Sequence, residues 1–418
     1  MTSIARRGLL GAAGLGEAGL SAVPAARRAA AQPRSARPIR IGVLTDMSGP
    51  YRDPTGPGSV ACARQAAEEF MAANPGIAVE VLQADHQNRP DVGSGIARQW
   101  YDTEGVDMIL DVPTSSVALA VAAATREKDK VFVNSGGAVV ELTGAQCSPN
   151  TVHWTYDTWM LAKSTGAALT RAGGDSWFFI TADYAFGHAL QRDTSAFVEA
   201  AGGKVLGGVR YPFPQTTDFS SFLVQARASR AKVLGLANAG TDTVNCVKQA
   251  REFGLTRQAK LATLLMAIAD VHALGLETAQ GLLLTESFYW NLNDRTRAFA
   301  ARARPKMPGG IPIGMIQAGC YAGALHYLKA VASMGVAEAK ISGRATVERM
   351  KAMPTDDDAF GPGQIRMDGR KIHPSYLFEV KSPAEQTAPG DYYKLAGTTP
   401  AEEAFRPMSE GGCSLVRT

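Results

Sequence analysis

The chain has 418 residues, 45% of them hydrophobic, and a formal net charge of +4. Residues 1–31 hold four arginines and one glutamate, so the remainder is near +1 and offers no basic footprint for nucleic acid or acidic membranes. About 387 residues are too many for one hydrophobic core and suit two domains.

At the N-terminus, Arg6-Arg7 precedes the Gly/Ala/Leu-rich stretch Gly8–Val23, and Ala29-Ala30-Ala31 supplies small residues before Gln32. This pattern reads as an export signal of the twin-arginine type, removed near Gln32, and places the mature chain in the periplasm. No later apolar run reaches the length needed to span a bilayer, so no direct membrane insertion is expected.

Short β-branched runs then alternate with helical stripes, which argues α/β with parallel, doubly wound sheets. Strand Ile39–Leu44 leads to a helix over Gly58–Asn74, stopped by Asn74-Pro75-Gly76. Strand Ile77–Gln83, helix Asp91–Glu104, strand Asp107–Asp111, helix Ser116–Asp129 and strand Val131–Asn134 complete one unit. After the loop Gly144–Asn150, a second unit alternates helices and strands from Thr158 to Thr285. Helices Asp294–Arg304, Met315–Ala332 and Ser342–Met353 follow, then a hairpin of Gln364–Met367 and Tyr376–Val380 turned at Asp368-Gly369. Helices arriving after a finished second sheet suggest a return to the first unit. The expected lobes are residues 37–153 plus 291–354, and 154–290 plus 355–418.

Of five cysteines, Cys246 and Cys320 lie on apolar helical stripes and read as core thiols. Cys147 and Cys413 sit in loop contexts and are the best disulfide candidates in an oxidising compartment. Neither the cysteines nor the six histidines show metal-ligand spacing, so no metal or cofactor is expected. There is no G-x-S-x-G elbow, Walker loop or H-E-x-x-H, and Asp356-Asp357-Asp358 reads as a solvated turn. Binding is therefore favoured over catalysis.

Candidate ligand residues fall where strands give way to helices, outside the carboxyl ends of an open sheet. Thr114-Ser115-Ser116 opens a helix, whose unpaired N–H groups and three hydroxyls would seat a carboxylate, although plain N-capping needs only one of them. Asn134-Ser135-Gly136-Gly137 repeats the logic at the next strand end. Asn238-Ala239-Gly240-Thr241-Asp242 does so in the second unit, with Asp242 a helix cap or a ligand contact. Tyr51, Trp154, Tyr156, Tyr184, Phe186, Phe288, Tyr289 and Trp290 crowd the same loops and suggest a pocket with apolar walls and polar tips.

Over nearly all of Ile39–Val416 the chain resembles the periplasmic solute-binding proteins of branched-chain amino-acid-type ABC importers. The likeness rests on Ser48-Gly49-Pro50-Tyr51 after the first strand, Thr114-Ser115-Ser116, Asp183-Tyr184-Ala185-Phe186-Gly187 and Ala237-Asn238-Ala239-Gly240. The tail, Asp368-Gly369-Arg370 and Tyr376–Lys381, shares it. The resemblance implies the type I periplasmic binding fold, two lobes joined by a three-crossover hinge that close on a small solute, and delivery to a membrane permease by a monomer. It implies that Thr114, Ser115, Ser116, Ser135, Gly136 and Gly137 hold a carboxylate while Tyr51, Tyr184 and Phe186 line the cleft. Family members that bind amino acids place an acid for the ammonium in the second lobe. Met266-Ala267-Ile268-Ala269 looks apolar there, leaving Asp242 or Glu286 as substitutes. The solute is thus expected to be a hydrophobic or aromatic carboxylate, or a branched-chain amino acid, with weak ammonium recognition. A sensor of amides or urea on the same fold is the nearest alternative, and a secreted enzyme the most remote.

Overall fold

The computed structural model describes residues 37–416, so the expected export signal lies outside the described residues. Among those described, no helix is long and apolar enough to cross a membrane.

The first sheet has the order β2-β1-β3-β4-β5, from strands Ile39–Thr45, Val79–Asp85, Met108–Asp111, Val131–Asn134 and Thr151–His153. All four of its pairings are parallel. Its inner strands are buried on both faces, which is why they read as continuous apolar runs. Helix α1 (Gly56–Ala73) buries Val60, Ala63, Ala66 and Phe70 with the sheet residues Ile41, Val43, Met108 and Val133. Helix Met315–Met334, from far along the chain, joins that same core through Met315, Cys320, Tyr327 and Val331. On the other face α2 (Pro90–Gln99) and α3 (Ser115–Glu127) pack Ala97, Val117 and Val121 on Leu44, Ile109 and Phe132. Gly42 is required in β1 because a Cβ there would lie 2.3 Å from the ring of Trp100.

The second sheet has the order β7-β6-β8-β9, again parallel, from Ser176–Ala182, Lys204–Tyr211, Val233–Ala237 and Lys260–Thr263. A short antiparallel sheet extends this lobe: β10 (Leu283–Glu286) pairs with β13 (Ser375–Val380), which pairs with β14 (Tyr393–Thr399). Between them, β11 (Gln364–Ile365) and β12 (Lys371–Ile372) form a small hairpin of their own.

Two expectations about the tail are corrected. Asp368-Gly369 does turn a hairpin, but its second arm is Lys371–Ile372, and Tyr376–Val380 instead pairs with Leu283–Glu286. Nor do residues 355–418 belong together. Strands within residues 375–399 pair with the second lobe. The β11–β12 hairpin lies against the first, where the His153 N–H donates to the Gly369 carbonyl at 2.9 Å. Buried Arg370 stacks its guanidinium 4.2 Å from the Phe405 ring, drawing residues after Thr399 back to the same lobe. The Asp356–Asp358 turn is likewise less solvated than its composition suggests. Asp357 is buried and accepts the N–H groups of Ala359 and Phe360, while Asp356 and Asp358 pair with Arg295.

Cys147 and Cys413 are joined by a disulfide with Cα atoms 5.6 Å apart across 266 residues of sequence, while Cys62, Cys246 and Cys320 are free and buried. Cross-linking so long a loop restricts the unfolded chain, so Cys147→Ser with Cys413→Ser should cost about 2–5 kcal/mol. Thermal unfolding of this double variant should begin several degrees early and no longer respond to reductant; a melting curve identical to that of the parent would refute this role.

Candidate functional site

Carboxyl ends of strands from both sheets face one another across a chamber. Its first-lobe wall is Tyr51, Pro54, Thr55, Pro113, Ala138 and Ile316, and its second-lobe wall is Tyr184, Phe186, Ala239, Gly240, Leu265, Ala267 and Asp270. Tyr156, from the first crossing, closes the side.

The Tyr51 loop is built on one carboxylate. Buried Asp46 accepts the N–H groups of Ser48 (3.2 Å), Gly49 (2.6 Å) and Tyr51 (2.9 Å) and the Asn88 amide (2.8 Å). Asn88 in turn accepts the hydroxyl of Thr114, the residue that precedes α3. Between β3 and α3, Asp111 and Val112 adopt φ of 82° and 59°, a conformation unfavourable for a β-branched residue. It is held by Val112 N–H to the Leu44 carbonyl (3.0 Å) and by Ser135 and Gly136 N–H to the Asp111 carbonyl, and it carries Pro113 to the chamber wall. The Tyr156 hydroxyl donates to the Gly136 carbonyl at 2.6 Å, tying the crossing to the β4 end.

The expected hydroxyl cradle is largely engaged elsewhere. Thr114 donates to Asn88, Ser115 Oγ accepts the Ala138 N–H at 3.1 Å, and Ser135 bonds Thr155 and the Ile316 carbonyl, each at 2.7 Å. These groups are buried, and a buried hydroxyl without a partner is costly, so the lobe satisfies them internally. The Gly137 N–H is bonded to Asn134, and Ser116 is half-exposed and off the chamber wall. What the α3 terminus still offers is its first-turn N–H groups and partial positive charge, beside Pro113.

Tyr51, Tyr156, Tyr184, Phe186 and Ala239 reach the chamber; other expected residues do not. Trp154 and Met266 are buried in the cores of the first and second lobe. Tyr289 donates to Asp391 at 2.8 Å, and Asn238 bonds Thr243 and Cys246. Asp242 accepts the Tyr211 hydroxyl at 2.7 Å, and burial raises its carboxyl to about 7. Glu286, at the end of β10, is fully buried with its carboxyl pushed up by burial, and does not line the chamber.

The second lobe does carry an acid on the wall. Asp270 lies one residue beyond the apolar run Met266–Ala269, in the first turn of the short helix Ile268–Leu274. Its Oδ2 accepts the Ala267 N–H at 2.8 Å, and Oδ1 has no hydrogen-bond partner among the described residues. Burial raises its carboxyl to about 7, opposed by the Ala267 N–H, and no cationic side chain lines the chamber beside it. The sequence signal was the helical start itself, with an acid three residues after Ala267. Ile316 has no comparable signal, since it arrives from a helix far along the chain. Among the described residues no group of three or more His, Cys, Asp or Glu side chains could hold a metal ion.

Two parallel α/β lobes with an aromatic chamber between their strand ends define a bilobal ligand-binding protein of the type I periplasmic binding fold. Residues 38–387 match the periplasmic binding protein family, and the chain belongs to it. A periplasmic binding protein from Burkholderia mallei is 46% identical, covering 91% of this chain and 99% of its own, with a TM-score of 0.86. A branched chain amino acid ABC transporter periplasmic ligand-binding protein from Burkholderia xenovorans LB400 is 36% identical over 90% of this chain and 99% of its own, TM-score 0.77. An amino acid ABC transporter substrate-binding protein from Pseudomonas fluorescens Pf-5, at 23% identity over 91% and 100% of the two chains, shares the fold with a TM-score of 0.80. No curated protein sequence matches the chain.

Because Asp46 gathers three backbone N–H groups and one amide, Asp46→Ala should leave several buried donors unpaired and cost about 2–4 kcal/mol. Denaturant unfolding measures this; an unchanged midpoint would show that the loop does not depend on the carboxylate.

Proposed function

We propose that the chain is an exported solute-binding protein that captures a small amino acid with an apolar side chain and presents it to the permease of an ABC importer. The observation that carries the reading is Asp270, a buried carboxyl with a free oxygen on the wall of an otherwise apolar chamber. A carboxyl in such a place lacks a compensating charge, and a ligand ammonium would supply it. The α3 terminus, which follows the wall residue Pro113, would offer its first-turn N–H groups to the ligand carboxylate. Tyr51, Tyr156, Phe186, Leu265 and Ile316 would surround an aliphatic or aromatic side chain. The relative from Burkholderia xenovorans, described as belonging to a branched chain amino acid transporter, supports this solute class. The expectation of weak ammonium recognition rested on the apolar run Met266–Ala269, and in this reading Asp270, one residue beyond that run, takes the ammonium.

Calorimetry with L-leucine against 4-methyl-2-oxopentanoate, and L-phenylalanine against phenylpyruvate, tests the reading. The amino acids should bind and their oxo analogues should not, and Asp270→Asn should weaken the amino acids by about 2–4 kcal/mol. The ligand-free carboxyl titrates near 7 and only its ionised form pairs with an ammonium, so affinity should fall below that pH by up to about tenfold per unit. Oxo acids binding as well as amino acids, or an unchanged affinity in Asp270→Asn, would overturn the assignment.

A further inference from the structure

At the mouth of the chamber a finger of the first lobe is inserted into the second. The hydroxyls of Tyr51 and Tyr184 share a hydrogen bond of 2.6 Å across the lobes. Beside it the Thr241 N–H donates to the Pro50 carbonyl at 3.1 Å. The Tyr51 ring stacks on Phe213 with centroids 5.4 Å apart and planes 24° apart, and Tyr184 stacks on the same ring at 4.3 Å and 18°. The approach depends on Gly240, at φ +61°, where a Cβ would stand 2.2 Å from the Pro50 carbonyl oxygen. The finger is stiff because Asp46 holds the N–H groups of Ser48, Gly49 and Tyr51 at once.

We propose that Pro50-Tyr51 is a closure latch, with Tyr51 and Tyr184 acting as positioning residues that hold the lobes together rather than as partners for the polar groups of the solute. Each tyrosine hydroxyl already has its partner in the other, and the one bond formed lies between lobes. Thr241 is the first residue of the helix Thr241–Glu252, so its N–H has no acceptor within that helix. In the structure that acceptor is Pro50, on the opposite lobe. Opening the lobes would release the Thr241 N–H to water together with the tyrosine pair. A binding protein whose closed form is favoured in advance gives up less affinity to closing, so the latch tunes affinity for every solute by the same factor.

Amide hydrogen exchange of the ligand-free chain reads the latch directly and does not depend on which solute is bound. The variants are Tyr51→Phe, Tyr184→Phe and the double variant, each keeping the ring and losing the hydroxyl. Loss of one net hydrogen bond should speed exchange at Thr241 about fivefold in either single variant. The double variant should exchange no faster than the singles, because the two hydroxyls form one bond. Amides inside the second-lobe sheet, such as Ile180 and Leu234, should keep parental protection, which separates lobe opening from unfolding. Unchanged exchange at Thr241, a double variant in which the two effects multiply, or acceleration spreading to Ile180 and Leu234 would each overturn the proposal.

Discussion

A carboxyl group buried against apolar walls, with no cation beside it, is the constraint around which this site is organised. Asp270 stands in that position, and its raised pKa reflects the cost of charging it there. The protein does not relieve that cost from its own side chains. The hydroxyls that could have turned toward the chamber, those of Thr114, Ser115 and Ser135, bond within the first lobe, and those of Tyr51 and Tyr184 bond each other. In the proposed reading, polar selectivity falls to the Asp270 oxygen and the backbone at the start of α3. The aromatic and aliphatic walls contribute area and shape.

The internal bonding of those hydroxyls has a second consequence. Each links two strand ends or two loops, so the chamber wall is a connected network rather than a row of separate contacts. Asp46 fixes the Tyr51 loop, Asn88 connects Asp46 to the start of α3, and Ser115 connects α3 to the β4 end through Ala138. Strained backbone at Asp111 and Val112 persists because these neighbours hold it from both sides. A wall braced in this way keeps its form while the lobes move. The lobes meet at the Pro50-Tyr51 finger and also where Arg192 of the second lobe pairs with Glu141 of the first at 2.8 Å.

Much of the fold is legible in the sequence, for a physical reason. Strands buried on both faces appear as unbroken apolar runs, and amphipathic helices between them appear as stripes, so the alternation from Ile39 to Thr285 is written locally. The tail is not. Its short strands are chosen by partners far away: Tyr376–Val380 reads equally well as one arm of a local hairpin or as a neighbour of Leu283–Glu286, and only tertiary packing selects the second. The site was legible in part. Tyr51, Tyr184 and Phe186 follow strand ends and reach the chamber, whereas Trp154 and Tyr289, equally aromatic and equally close to crossings, turn into core and loop contacts. Composition cannot separate these cases, because the side-chain direction depends on the neighbouring lobe. Hydroxyl-rich helix starts are ambiguous for a related reason, since the same groups that can seat an anion can also brace a wall.

Proton release on binding tests the central claim, that Asp270 answers the ammonium of the solute. Calorimetric titration of L-leucine at pH 7 in two buffers of different ionisation enthalpy counts the protons exchanged. With the ligand-free carboxyl near its midpoint, binding should release about half a proton, and Asp270→Asn should abolish that release. Heats of binding that are the same in both buffers for the parent protein would contradict the account.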